Sequence, residues 1–81
     1  MTYGEFKAYL FITGFIPHTT LHTVWNKKYI SVKISKFNNE IIINAPWIVK
    51  PLNTGDVNLA KRFLDDLQNN SKVIDNASYY S

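Results

Sequence analysis

Residues 29 to 37, Tyr-Ile-Ser-Val-Lys-Ile-Ser-Lys-Phe, alternate between two kinds of side chain. Ile30, Val32 and Ile34 fall on one side of an extended chain, and Tyr29, Ser31, Lys33 and Ser35 on the other. Strict alternation is the mark of a strand with one face buried and one facing solvent, a pattern that belongs to antiparallel sheets. Asn38-Asn39 follows as a two-residue turn, since Asn tolerates positive φ, and Glu40 to Ala45 returns as a second strand. That turn would pair Ile34 with Ile43 and Val32 with Ala45 on the core face, and Lys33 with Asn44 and Ser35 with Ile42 on the other. A slip of one residue would bury Lys33, so the register is well specified.

Upstream, residues 18 to 28 are rich in Thr and other strand formers. A turn between Asn26 and Lys28 would set Leu21, Thr23 and Trp25 beside Ile30, Val32 and Ile34. The opposite, open face would then carry His22, Val24, Tyr29, Lys33, Phe37 and Ile42.

Helical signals flank this sheet. Thr2 and Glu5 stand in the capping-box relation, and Tyr3, Phe6, Leu10 and Thr13 follow at helical spacing. Gly14 sits where a left-handed cap belongs and Pro17 forbids continuation, so the first helix is expected over residues 3 to 13. Asn53-Thr54-Gly55-Asp56 reads as a turn with Asp56 as N-cap of a second helix. Leu59, Ala60, Phe63, Leu64 and Leu67 form its apolar stripe, and Lys61, Arg62, Asp65, Asp66 and Gln68 its wet side. Trp47-Ile48-Val49 is a short apolar run pinned between Pro46 and Pro51, an edge strand or a loop folded onto the core. The expected fold is a two-layer α+β domain of order αβββα, with two helices on one face of a three-stranded antiparallel sheet. Residues 1–70 form that single domain, and 71–81 are expected to be a flexible tail.

Size and composition bound what such a fold can do. In a chain of 81 residues apolar burial and ordering entropy nearly cancel, so the core must be well filled. Two Trp, five Tyr and five Phe supply large packing units. There is no cysteine, which excludes disulfides, thiolate metal sites and thiol catalysis. The N-terminus has an acid where a signal peptide wants basic charge, and the apolar run from Ala8 to Ile16 is too short to span a bilayer. An intracellular, cytoplasmic protein without a membrane association is the expectation. The Ile-, Asn- and Lys-rich composition is that of an AT-rich genome, as in a phage or a low-GC bacterium.

No catalytic constellation stands out. His18 and His22 are spaced as metal ligands would be on a helix, but they fall in a Pro- and Thr-rich stretch with no third ligand. Asp65 and Asp66 are adjacent on a helix and diverge by about 100°. The glycines are isolated and form no phosphate loop. The chain reads as a non-enzyme without cofactor or metal.

Charge is distributed unevenly. The nine basic and six acidic residues give +3, yet no acid occurs from Phe6 to Asn39, where Lys7, Lys27, Lys28, Lys33 and Lys36 lie. Exposed aromatic and apolar side chains in one patch usually mark a partner surface, and nearby lysines would steer that partner. Tyr29, Lys33, Phe37, Lys27, Lys28 and Lys36 are the candidate partner-binding residues. The expected function is a small binding protein that engages a protein partner, such as a phage-type or regulatory inhibitor of a host factor. Two alternatives use the same residues: a nucleic-acid-binding module, with lysines on phosphates and Tyr29 or Phe37 stacking on bases, or a homodimer joined through the open sheet face.

The order helix–strand–strand–strand–helix resembles that of the double-stranded-RNA-binding domain. At the start of the second helix, where that family carries a basic cluster, this chain has Asp56-Val57-Asn58-Leu59, followed only by Lys61 and Arg62. The order is also similar to that of small phage inhibitors, anti-CRISPR proteins among them.

Overall fold

The computed structural model describes residues 1–18 and 23–69. Within them the elements are α1 (Tyr3–Ile12), β1 (Ile16–Pro17), β2 (Val24–Lys27), β3 (Ile30–Ser35), β4 (Glu40–Asn44), β5 (Leu52–Thr54) and α2 (Val57–Asn69). The class is α+β, but the sheet has five strands where three are expected. It is an antiparallel meander of order β1-β2-β3-β4-β5, each strand bonded to its neighbours in sequence. The extra strands are too short to show a period. β1 contains Pro17, which an edge strand tolerates because its outer side needs no N–H donor. β5 occupies the start of the segment read as a turn. With five strands, the element order no longer coincides with that of the double-stranded-RNA-binding domain.

α1 begins and ends as its sequence dictates. Glu5 N–H donates to Thr2 Oγ1 (3.1 Å) and Thr2 N–H to Glu5 Oε1 (2.9 Å), which closes the capping box. Gly14, at φ +98°, turns the chain out of the helix. Phe15 N–H bonds the Leu10 carbonyl and Gly14 N–H the Phe11 carbonyl, the pair of bonds of a Schellman motif. Phe15 and Leu10 are both buried beneath it.

The register of the central hairpin differs from expectation by two residues. Ser35 pairs with Glu40, Ile34 with Ile41, Lys33 with Ile42 and Val32 with Ile43, so the turn is Lys36 to Asn39 rather than Asn38-Asn39 alone. A shift of two leaves every side chain on its expected face, which is why the alternation is blind to it. Asn39 supplies the positive φ, +52°. The β2–β3 turn is Lys28-Tyr29, one position beyond the expected range, with Lys27 opposite Ile30 and Trp25 opposite Val32.

Both helices cover the same side of the sheet. Phe6 and Leu10 of α1 and Val57, Ala60, Phe63, Leu64 and Leu67 of α2 are buried against Trp25, Ile30, Val32, Ile34, Ile41, Ile43 and Leu52. Leu59, expected in the stripe, is only half-buried, and Val57 takes its place. Asp56 Oδ1 accepts from the N–H groups of Asn58 (3.0 Å) and Leu59 (3.2 Å), as an N-cap does. Ile48 belongs to this core and Trp47 rests on it, so these two residues pack on the helix side and, among the described residues, leave the other sheet face open. The expected tail, 71–81, lies outside the described residues. Among the described residues no helix is long and apolar enough to cross a membrane.

Candidate partner-binding surface

Pleating assigns the sheet face opposite the helices. Residues paired across an antiparallel ladder point to the same side, so Ile16, Asn26, Ser31 and Asn44 form one row, and Val24, Lys33, Ile42 and Asn53 the next. Val24 and Ile42 are half-buried at its centre and flank the exposed Lys33. At the rim, Asn53 Nδ2 donates to Glu40 Oε1 at 2.6 Å.

The expected aromatics stand at the ends of this face rather than in one patch. Tyr29 lies in the β2–β3 turn, 76% exposed, and Phe37 in the β3–β4 turn, 99% exposed. The length of β3 separates them, on the order of 20 Å. Lys28 accompanies Tyr29, Lys36 accompanies Phe37, and Lys33 sits between them. Lys28, Lys33 and Lys36 are all exposed.

Lys27 is on the other side. It faces Ile30 across the ladder and so points under the helices. Its Nζ donates to the Thr13 carbonyl (2.5 Å) at the end of α1 and to Gln68 Oε1 (2.8 Å) near the end of α2, and lies 5.9 Å from the centre of the Phe15 ring. This lysine ties the C-terminal ends of both helices to β2. Its charge helps to hold the fold together rather than adding to the sheet surface.

Lys28 holds an unfavourable backbone conformation, with φ +53° at the first position of a two-residue turn, where glycine is preferred. A non-glycine residue there carries a local cost, and such backbone outliers cluster at functional sites.

A polar cluster missed in the sequence joins the two helices. Tyr9 Oη donates to Asp65 Oδ1 (2.5 Å), Gln68 Nε2 donates to Tyr9 Oη (3.2 Å), and Lys61 Nζ reaches Asp65 Oδ2 (2.8 Å). Lys61 Nζ also stands 5.0 Å from the centre of the Tyr9 ring. Burial, then the hydrogen bond to the Asp65 carboxylate, push the Tyr9 phenol well above its ordinary value. Burial would raise the Asp65 carboxyl, but hydrogen bonds from Lys61 and Tyr9 outweigh it and hold the group below its ordinary value. The i, i+4 spacing of Lys61 and Asp65 was a legible signal; the tyrosine that completes the cluster lies 56 positions from Asp65 and was not.

His18 is exposed and His22 lies outside the described residues. No three His, Asp or Glu side chains converge on a common point among the described residues. A recess of about 400 Å³ opens between the β2–β3 turn and the end of α2, lined by Lys27, Ile30, Trp47 and Leu67. Comparison with known protein families, with curated proteins and with solved structures gave no match.

Proposed function

We propose that this chain is a non-enzymatic binding protein whose open sheet face, with the turns at its two ends, engages a protein partner. The observation that carries this reading is the pair of exposed aromatics. Tyr29 and Phe37 bracket a surface on which Lys28, Lys33 and Lys36 make no side-chain hydrogen bond or ion pair among the described residues. Exposed aromatics set beside unpaired lysines are what a desolvated anchor with a steering rim requires. A small inhibitor of a host factor, of the phage type, fits the size and composition. Lys27 leaves the set of contact residues because its ammonium group is engaged inside the fold.

The test is capture of a defined partner from the native host, followed by titration of variants. Tyr29→Ala and Phe37→Ala should each weaken binding by about tenfold or more, equivalent to at least ~1.4 kcal/mol. Changing Lys28, Lys33 and Lys36 together to Gln should chiefly slow association. The alternative is a nucleic-acid module. It requires affinity for duplex DNA or RNA to fall with salt at a log–log slope of roughly −3 for three lysines. Sub-micromolar, salt-steep binding of that kind at physiological ionic strength would replace the protein-partner reading.

A further inference from the structure

The recess between the β2–β3 turn and the end of α2 has an apolar base and a basic rim. Ile30 and Leu67, both buried, close its floor, and the half-buried Trp47 forms a wall. Lys27, Lys28 and Gln68 stand around them. Among the described residues no Asp or Glu lines it. Its volume of about 400 Å³ is at the lower end of the ~300–1,000 Å³ typical of small-molecule pockets. An apolar floor with a few polar groups converging on it is the usual form of a ligand site.

Two of the lining residues have donors without an acceptor among the described residues. Lys27 is the first. An ammonium carries three N–H groups. Lys27 Nζ gives one to the Thr13 carbonyl at 2.5 Å and one to Gln68 Oε1 at 2.8 Å, which leaves the third. Those bonds fix the ammonium in place but do not neutralise it, because both acceptors are uncharged, as is the Phe15 ring 5.9 Å away. A partly buried charge without a counter-ion favours an anion beside it. Trp47 is the second. Its Nε1 is buried and has no hydrogen-bond partner, and an indole N–H can only donate. Such a group is costly to leave unmet. Lys28 adds an exposed ammonium at the rim.

We propose that this recess binds a small carboxylic acid with an apolar body, of the aryl or medium-chain aliphatic kind. The carboxylate lies against the Lys27 and Lys28 ammonium groups, and the body rests on Ile30, Leu67 and the Trp47 ring. The charge balance selects a monoanion. α2 ends at this recess, and the partial charge at its C-terminus, roughly half a negative elementary charge, opposes a second negative charge on the ligand. The apolar floor offers no donors for the many oxygens of a phosphate. Ile30 points to the helix side of the sheet, so an occupied recess leaves Lys33 and Phe37 accessible to a partner on the open face.

Titration of the full chain with phenylbutyrate and with its neutral amide, phenylbutyramide, tests this, read by the NMR signals of the Trp47 indole and the Leu67 methyls. The acid should shift those signals to saturation and bind at least about tenfold more tightly than the amide, which cannot make charge-assisted bonds to an ammonium. Added salt should shrink that advantage. Lys27→Gln should abolish it. Because Lys27 also ties the helices to the sheet, Lys28→Gln, a change at an exposed turn, covers the case where the first variant misfolds, and should reduce the advantage by about two- to fivefold. An acid that binds no better than the amide, or not at all at millimolar concentration, overturns the proposal, as does an advantage unchanged by either substitution in a folded chain. So does a response that maps to Lys33 and Phe37 in place of Trp47 and Leu67. So do Overhauser contacts from Trp47 and Leu67 to this chain's own residues beyond Asn69 that persist when the acid is added, since the recess would then be filled from within.

Discussion

Tyr9 shows how one hydroxyl couples the two helices. It donates to Asp65 and accepts from Gln68, both on α2. Tyr9→Phe removes both bonds while keeping the ring, and should cost about 1 kcal/mol in chemical denaturation. The two shifted groups act at opposite ends of the pH scale. The fold raises the Tyr9 value, so its contribution is complete below the unfolded value of about 10 and fades as pH rises past it. The fold lowers the Asp65 value, so its contribution is present above an unfolded value of about 3.9 and fades as pH falls through the folded one. Stability measured against pH should therefore drop at both extremes, and in Tyr9→Phe the alkaline drop should shrink. Lys28 is the second informative residue. Lys28→Gly relieves its positive φ and should stabilise the chain by about 0.5–1 kcal/mol while weakening partner binding. A destabilised Lys28→Gly would mean that the side chain serves the fold and not a partner.

At the scale of elements, the long periodic segments were legible and the short ones were not. Alternation in β3 and the stripe of α2 identify their buried faces, because each repeats its period several times. β1 and β5, with 2 and 3 residues, have no period to read and exist only because β2 and β4 offer them an edge. The hairpin register escaped for a different reason: Asn38-Asn39 and the longer Lys36–Asn39 turn give the same faces. The site was legible in its residue types but not in their placement. Lys27 reads as a partner-binding residue because it falls in a turn between Asn26 and Lys28, where the sequence fixes no direction; the pairing with Ile30 turns it inward. Ile34→Ala and Phe63→Ala should each cost about 2–5 kcal/mol, since both are buried in the shared core. Gly55→Ala tests a contact that no pattern announces. Its new Cβ would stand 2.8 Å from the Asn39 carbonyl oxygen, backbone against backbone, so the β5–α2 connection and the β3–β4 turn would have to separate. The melting temperature should fall by several degrees, as about 1–2 kcal/mol would produce in a domain of this size.

For the whole molecule, the meander sets the order in which structure can assemble. Every strand bonds to the one before it, so the sheet requires only short loops to close, and no strand waits for a distant partner. The exception is the meeting of α1 with α2, which joins residues more than fifty positions apart. Among the described elements, loop-closure entropy therefore concentrates in the docking of α1 and α2 over the hairpins. Substitutions at Ile34 or Ile43 should slow refolding, with φ-values of about 0.5 or more, whereas Tyr9→Phe should leave refolding unchanged and speed unfolding. The same asymmetry describes how the native chain comes apart. Amide exchange should find the β3–β4 ladder protected to the limit of global unfolding, and α1 released earlier through a partial opening that frees the helix while the sheet persists.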